Sequence, residues 1–527
     1  MASQAPVIHG RGEARPVFAT VLAMLDHAIE KHPDTIALIH MGRALSYADE
    51  GRAVAALADD LARRGAAGRP VVVLVPNSLE YHIAYFAVLC AGGVPVLLNP
   101  LYPAPALEPL FADAMPVLVL AAPETADAAR ALQPRFGHDV VVMGEGGHTV
   151  VALVAAGPGR FQPRSVAPDA PAVLMFTGGT TGISKAIVHS HRAMVDGILR
   201  IDWGWPTRAS GEVWLPVAPM FHIYGWFFGV GNPVHACATL VIPDRFQPDH
   251  VVQLIADHRV TVFGGGPPAI YQGLMAAAGF NTADLSSLAV CGGGGAPFPV
   301  EVLKRWKDRT GVEICEGYGM TEIAPIAVNT DSFGRKAGSV GKPVPDVEIR
   351  IADLADASVT LPAGGVGEVC VRGPHALTEY RNRPDETASA IRDGWVLTGD
   401  IGFMDAEGFL TITDRKKDVI LVKGFNVFPR EVEEVIHEHA DVRGVGVISQ
   451  PDPRSGERII AFVMVDQQAG DGPRVTAADI LAHCKARLVG YKVPAEIRLV
   501  DDLPLTPARK LDRIALRRQA ADAADAA

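Results

Sequence analysis

Residues 398–434 read TGDIGFMDAEGFLTITDRKKDVILVKGFNVFPREVEE, and the rest of the chain is organised around them. The stretch opens on Thr398-Gly399-Asp400, a carboxylate held on a turn. Two short apolar runs follow, Phe409–Thr413 and Val419–Val422, and they read as strands. Between them stand Asp414-Arg415-Lys416-Lys417-Asp418, all charged. A tight hairpin would want Asn-Gly or Asp-Gly there. Two readings stay open: a solvated turn, or a joint between two bodies with Asp400 and Arg415 facing a ligand across it.

Working outward, 527 residues are too many for one core, so two to four domains of roughly 100–200 residues are expected. A hydrophobic content of 49% and a charged content of 20% suit large buried sheets. The 53 glycines and 40 prolines are dispersed and so mark turns rather than disorder. A net charge of −11 without any Lys/Arg-rich run disfavours nucleic acid, whose phosphate backbone needs clustered positive charge. The six cysteines are scattered without a CxxC pair, which argues against zinc and disulfides and predicts a reducing, cytoplasmic setting. The opening MASQAPVIHGRGEARP lacks the basic-then-apolar order of a signal peptide. No apolar stretch reaches the roughly 18 residues of a membrane span; peripheral membrane contact stays open. The Ala/Asp tail, Ala520–Ala527, is expected to be disordered.

From the N-terminus, helical spacing covers Phe18–Lys31, Tyr47–Arg64 and Glu80–Ala91. Apolar runs at Val71–Val75, Val94–Leu98, Val117–Ala121 and Val140–Met143 read as buried strands. Such alternation predicts an α/β fold, with parallel sheets covered by helices. The strand Val173–Phe176 then runs into Thr177-Gly178-Gly179-Thr180-Thr181-Gly182-Ile183-Ser184-Lys185. Glycines let backbone N–H groups approach phosphate oxygens, hydroxyls add donors, and Lys185 supplies charge. A Gly-rich turn without a ligand is the plainer alternative. The GxxxxGK[ST] loop is excluded, because Ile183 follows Gly182 and Ala186 follows Lys185.

This loop resembles the phosphate loop of the adenylate-forming (AMP-binding) enzyme superfamily, which holds acyl-CoA synthetases, luciferases and peptide-synthetase adenylation domains. Further stretches resemble that family's motifs in the same order: Pro219–Gly225, Glu316-Gly317-Tyr318-Gly319-Met320-Thr321-Glu322, Thr398–Glu434 and Pro504–Lys510. Lys423–Glu433 and Pro219–Gly225 are most similar to long-chain fatty acid–CoA ligases; coumarate-type CoA ligases share the Pro-Met-Phe-His-Ile-Tyr run.

The resemblance implies a two-step ligation. A carboxylate attacks the α-phosphorus of ATP and pyrophosphate leaves; the thiol of coenzyme A then displaces AMP. Bringing one anion to another demands positive charge at the reacting oxygens. By resemblance, Lys510 binds the substrate carboxylate and the α-phosphate, while Glu322, with Thr177, holds Mg²⁺. Thr177–Gly182 and Lys185 hold phosphates. Asp400 takes the ribose hydroxyls, Ile412 packs on the nucleoside, and Arg415 reaches ribose or phosphate. Gly293, Gly294, Gly295, Ala296 and Pro297 let adenine lie against backbone, within a site that includes Glu316–Thr321, and Tyr318 stacks on its other face. His222 gates the substrate carboxylate. Tyr224, Trp226, Phe227, Gly264, Gly265, Gly292 and Met320 line the acyl pocket, with Phe228 as a further wall. Lys423, Gly424 and Phe425 belong to the coenzyme A site.

Some of these residues have plainer readings. Lys510 alone would be a surface charge and His222 a core histidine. His189-Ser190-His191 offers too few ligands for a metal. The chain also departs from the family pattern, with Gly178 where serine is common and Ser184-Lys185-Ala186 in place of Pro-Lys-Gly. Arg509 replaces the usual glycine, which either alters how Lys510 enters or adds a phosphate contact.

The resemblance also divides the chain. Residues 1–414 form a large domain of parallel and mixed sheets with a smaller β-rich subdomain. Residues 415–417 form a hinge pivoting at Lys417, and 418–527 a small mobile α+β domain carrying Lys510. In that domain Pro429–His439 reads as a helix, Gly444–Ile448 and Ile459–Val465 as strands, and Thr476 as the cap of a helix to Leu488. The activity implied is ATP-dependent ligation of a hydrophobic acid, medium- or long-chain, to coenzyme A. The alternatives are an aryl acid, or transfer of the adenylate to a carrier protein. A luciferase-type monooxygenase and a non-catalytic nucleotide binder are more remote; the latter would lack Lys510 or Glu322.

Overall fold

The computed structural model describes residues 16–158, 161, 163–176, 184–205, 207–208, 210–331, 334–423, 425–452, 454–465, 475–505 and 511–525. They form two compact units, one drawn from Met1–Glu348 and Val371–Val396, the other from Ile349–Cys370 and Leu397–Ala527.

The first unit is α/β, as expected, and holds two sheets. A seven-stranded sheet is built around Pro70–Leu74, Val94–Leu97, Leu118–Ala121 and Asp139–Val142, which pair in parallel. These strands are short and β-branched, and both faces of the inner ones are buried, as continuous apolar runs require. Its other edge turns antiparallel: Pro171–Phe176 pairs Ala186–Ser190, which pairs Glu379–Tyr380. A nine-stranded sheet carries the parallel strands Val213–Pro216, Val262–Gly266, Val290–Gly294 and Ile314–Met320, the last pairing antiparallel with Ile323–Asn329. The helices start where hydroxyl caps stand. Ser46 caps Tyr47–Arg63 and Ser78 caps Leu79–Cys90, each side chain accepting a backbone N–H of the first turn. Leu79–Cys90 is buried at nearly every position, which marks a central helix rather than a surface one.

In the second unit, Trp395–Met404 pairs antiparallel with Leu410–Arg415. A single 3₁₀ turn, Lys416–Asp418, leads to Ile420–Val422, which lies in a different sheet with Phe425–Val427, Gly456–Val465, Val442–Asp452 and Glu496–Leu499. The charged connector is therefore no hairpin, and while Arg415, Lys416 and Lys417 are exposed its two acids are not. Asp414 and Asp418 are both buried. The helices Pro429–His437 and Ala477–Arg487 pack on this second sheet through Val432, Ile436, Ile480 and Cys484. Thr476 and Asp479 form a reciprocal capping box on the latter helix. The Ala/Asp tail departs from expectation: Arg513–Asp525 is one helix, anchored by Leu516 and Ala520 against Ile448, Ile460 and Phe462. Alanine is the strongest helix former, and one apolar stripe is enough to dock it. Among the described residues no helix is long and apolar enough to cross a membrane.

Candidate active site

In the first unit, parallel strands bring their glycine-rich C-terminal ends side by side. Gly264 lies opposite Gly292, Gly293 opposite Glu316, and Gly294 opposite Gly317. This is the end of a parallel sheet at which α/β proteins bind ligands. Successive residues face opposite sides of a strand, and the glycines divide accordingly. A Cβ on Gly265 or Gly293 would enter the core, against Tyr271 or against Ile314 and Phe298. A Cβ on Gly264 would meet Phe228 at 2.9 Å, and one on Gly292 would meet the Phe228 ring at 2.8 Å and Tyr224 Oη at 3.1 Å.

Tyr224 and Phe228 come from a continuous helical run, Ile223–Trp226, Phe227–Gly231 and Asn232–His235, whose middle is π-helical. Their rings stack with centroids 4.6 Å apart, and Tyr224 Oη accepts the Gly266 N–H at 3.2 Å. Trp226 and Phe227, expected beside them, point elsewhere. Trp226 packs edge-on to Tyr85, and Phe227 lies against Gly197. Residues four apart share a helix face, whereas neighbours one or two apart do not. Gly265, Trp226 and Phe227 are therefore not brought together with Tyr224, Gly264 and Gly292. The half-buried His222 ends the preceding turn, its N–H bonded to Pro219 O. Asn77 holds that turn by bonding both Ala218 O and Met220 N.

Glu322 sits in the turn between Ile314–Met320 and Ile323–Asn329, only 7% exposed. Tyr380 donates its phenol to Glu322 Oε1 at 2.8 Å, and Leu377 N donates to Glu322 O at 2.6 Å. His189 Nε2 reaches Thr321 O at 2.7 Å and His375 Nε2 reaches Pro325 O at 2.6 Å. A carbonyl can only accept, so each ring carries its proton there. Burial pushes His189 down to about 4 and His375 to about 3, so both are neutral donors at pH 7. His189 is thus a backbone clamp. Burial and the Glu322 charge raise the Tyr380 phenol, which stays a donor. On the same turn's strands, Glu316 accepts from Asn329 Nδ2 at 3.0 Å, and Tyr318 and Met320 are half-buried.

Lys185 lies 4.9 Å over the Tyr380 ring and pairs with Glu386 at 2.5 Å. Lys185 and then Arg383 hold the Glu386 carboxyl below its usual range. Tyr380, Glu386 and His375 carried no signal in the sequence reading. Pro384 followed by Asp385 and Glu386 does mark a helix start, but not what the acids would face.

In the second unit, Asp400 and Arg415 are opposite one another on paired strands, with Arg415 Nε 2.6 Å from Asp400 Oδ1. They pair with each other across the two strands. Asp400 is 2% exposed, while the Arg415 side chain is nearly half exposed. Thr398, Gly399 and Asp400 lie inside the strand Trp395–Met404 rather than on a turn; Gly399 takes φ +68° there, and its N–H bonds Glu368. Ile412 lies on the strand beside Gly402, and its carbonyl accepts from Arg430. Asp414 accepts the N–H groups of Arg415 and Arg430 and is pushed up to about 6 by burial. Burial lowers Lys417. Phe425 is exposed and stacks on Tyr491 at 4.6 Å, and the Lys423 N–H bonds Ser455 O. Thr177–Gly182, Gly424, Arg509 and Lys510 lie outside the described residues.

Among the described residues no three His, Cys, Asp or Glu side chains cluster as a metal cage. One buried, oriented carboxylate nonetheless fits Mg²⁺, which takes one or two carboxylates and completes its shell with water and phosphate oxygens.

The chain belongs to the AMP-binding enzyme family: the family's main model matches residues 25–381, and the model of its C-terminal domain matches 431–510. Within that family it stands with the AMP-forming acyl-CoA synthetases, which are acid–thiol ligases. A long-chain-fatty-acid–CoA ligase of Salmonella typhimurium is 31% identical, with 95% of each chain covered. A feruloyl-CoA synthase of Amycolatopsis sp is 34% identical over 92% of this chain and 96% of its own. Among solved structures, ATP-bound MatB from Rhodopseudomonas palustris superposes with a TM-score of 0.88 at 28% identity, covering 95% of this chain and 98% of that one.

Proposed function

We propose that this chain ligates a hydrophobic carboxylic acid to coenzyme A through an acyl-adenylate made from ATP. The observation that carries the reading is Glu322, a buried carboxylate fixed by Tyr380 and Leu377 beside glycine-ended parallel strands. On this reading Glu322 and Thr177 hold Mg²⁺, which supplies charge to offset the phosphates. Thr177–Gly182 cradle the phosphate oxygens, and Lys185 exchanges Glu386 for one of them. Tyr318 and the Gly293–Pro297 backbone take the adenine, Asp400 the ribose, with Arg415 and Ile412 beside it. His222 stands by the acid, and Lys510 bridges carboxylate and α-phosphate as the carboxylate oxygen attacks and pyrophosphate departs. Residues 415–417 serve as the hinge, Lys417 as its pivot, and Lys423–Phe425 approach coenzyme A for the thiol step.

The curated relatives named for long-chain fatty acids support a medium- or long-chain alkyl acid. A second reading, an aryl or otherwise compact acid, is favoured by the Phe228 ring over Gly264 and Gly292. It is also in keeping with the feruloyl-CoA synthase likeness. The test is incubation with ATP, Mg²⁺, coenzyme A and acids from acetate to hexadecanoate plus aryl acids, following AMP and thioester. Thioester formation supports the reading. AMP without thioester would move the acceptor to a carrier protein. Lys510→Ala should abolish ATP–pyrophosphate exchange while sparing thioester formation from supplied acyl-adenylate; equal loss of both steps would count against the roles given.

A further inference from the structure

Glu368 stands in an otherwise apolar run of the strand Gly367–Arg372 and is 3% exposed. A carboxylate taken out of water is costly unless its oxygens find donors. Here each does: Oε1 accepts the Gly399 N–H at 3.2 Å, and Oε2 accepts from Lys416 Nζ at 2.7 Å. Gly399 immediately precedes Asp400, and Lys416 immediately follows Arg415. Asp400 and Arg415 pair across their own strands at 2.6 Å. One carboxyl group therefore braces both members of that pair through the adjoining residues. The same strand adds a second hold: Val369 O accepts the Thr398 hydroxyl at 2.7 Å, and that hydroxyl accepts the Asp400 N–H at 3.0 Å. The charges repeat the pattern. Two buried acids, Asp400 and Glu368, each hold one of two consecutive cations, Arg415 and Lys416, whose side chains are 44% and 45% exposed. Gly399 makes the brace necessary, because glycine leaves its φ of +68° as readily as it adopts it. Without the bond to Glu368, the backbone entering Asp400 would lose the side chain that fixes it.

We infer that Glu368 is a positioning residue, which holds Asp400 and Arg415 in register and so sets how strictly the nucleotide's ribose hydroxyls are read. This rests on the reading above that gives Asp400 the ribose, and deepens it by naming the group that aims Asp400. Glu368 itself touches no substrate in this role; it acts through Gly399 and Lys416.

The test is pyrophosphate exchange with the best-used acid of the series above, comparing ATP with 2′-deoxy-ATP and 3′-deoxy-ATP. Wild type is set beside Glu368→Ala, the milder Glu368→Gln, and Asp400→Asn. The readout is the ratio of kcat/KM for ATP to that for each deoxy analogue, which does not depend on the fraction of each preparation that is folded. Wild type should favour ATP over at least one analogue on the order of a hundredfold, since a site built to bond a hydroxyl rejects the ligand lacking it. Asp400→Asn should lose most of that preference. Glu368→Ala should cut it roughly tenfold, the worth of one hydrogen bond to a charged group. Glu368→Gln still offers Gly399 an acceptor but no charge to Lys416; it should lie between, and it carries the test should the alanine variant fail to fold. A preference lost in Asp400→Asn but kept in an active Glu368 variant, both nucleotides falling together, overturns the inference and leaves the ribose reading intact. A wild type indifferent to both hydroxyls, or an Asp400→Asn variant that keeps the preference, overturns the ribose reading and the inference with it.

Discussion

Replacing Tyr380 by phenylalanine removes one oxygen and little else. That oxygen donates to Glu322 Oε1 at 2.8 Å, and the carboxylate is 7% exposed, so solvent has little room to replace it. Leu377 N to Glu322 O and the His189 ring to Thr321 O also hold this turn, and they survive the change. The ring beneath Lys185 also remains, so the cation–π contact is kept. What is lost is the aim of one carboxylate. A hydrogen bond to a charged group contributes about 1.5–3 kcal/mol, or roughly ten- to hundredfold in an equilibrium or rate. Tyr380→Phe should therefore lower kcat/KM for ATP in pyrophosphate exchange by roughly that factor and raise the Mg²⁺ concentration needed for half-maximal rate. Thioester formation from supplied acyl-adenylate, which needs no metal-bound pyrophosphate, should stay within about twofold. Exchange that also stays within about twofold, or equal loss in both steps, would refute the reasoning.

Two further outcomes follow from the same geometry. His189, His191 and His375 bind a proton near pH 6.5 when unfolded but only at about 4, about 4 and about 3 when folded, burial being the main cause. Between those values the unfolded chain holds more protons, so stability should fall as pH drops below about 6.5, by roughly 1.4 kcal/mol per unit for each histidine. Asp414, raised to about 6, works the other way from about pH 6 downward, offsetting about one histidine's worth of the slope there. Thermal melts at several pH values should show the loss, and His375→Asn should flatten the slope by about one proton; an unchanged slope would refute the assignment. Gly294→Ala should destabilise by about 1–3 kcal/mol, because its Cβ would stand 2.7 Å from the Gly317 carbonyl, which is backbone and cannot rotate away. Gly490→Ala, with nothing within 4 Å, should be close to neutral, and similar melts for both would contradict the packing described.

Much of this protein was legible in its chain. Period and composition are local properties, so the β-branched runs at Val71–Val75 and Val94–Leu98 and the capped helices at Tyr47 and Leu79 followed from residue order within a turn or two. Glu322 was singled out by resemblance, through the likeness of its Tyr-Gly-Met-Thr-Glu run to the family's motif, rather than by period or composition. Its support was not. Tyr380 and His375 lie more than fifty residues along the chain, and only the pairing of Glu379–Tyr380 with Ala186–Ser190 brings the phenol home.

The acyl region shows the division most plainly. The sequence by itself put small residues and aromatics in view, Gly264, Gly292, Tyr224, Trp226, Phe227 and Phe228, but not that Tyr224 and Phe228 would meet the two glycines while Trp226 and Phe227 turned away. Which aromatic meets which glycine depends on the rotation of a helix about its axis and on which face of the sheet each glycine presents. A π-helical turn resets that rotation, and composition carries no trace of it. Likewise the charge of Asp414–Asp418 was plain, but the burial of its two end residues, Asp414 and Asp418, was decided by two sheets that recruit the flanking strands separately. Local chemistry is written residue by residue; the partners are chosen only when distant segments pack, because packing is a property of surfaces and no single segment possesses one alone.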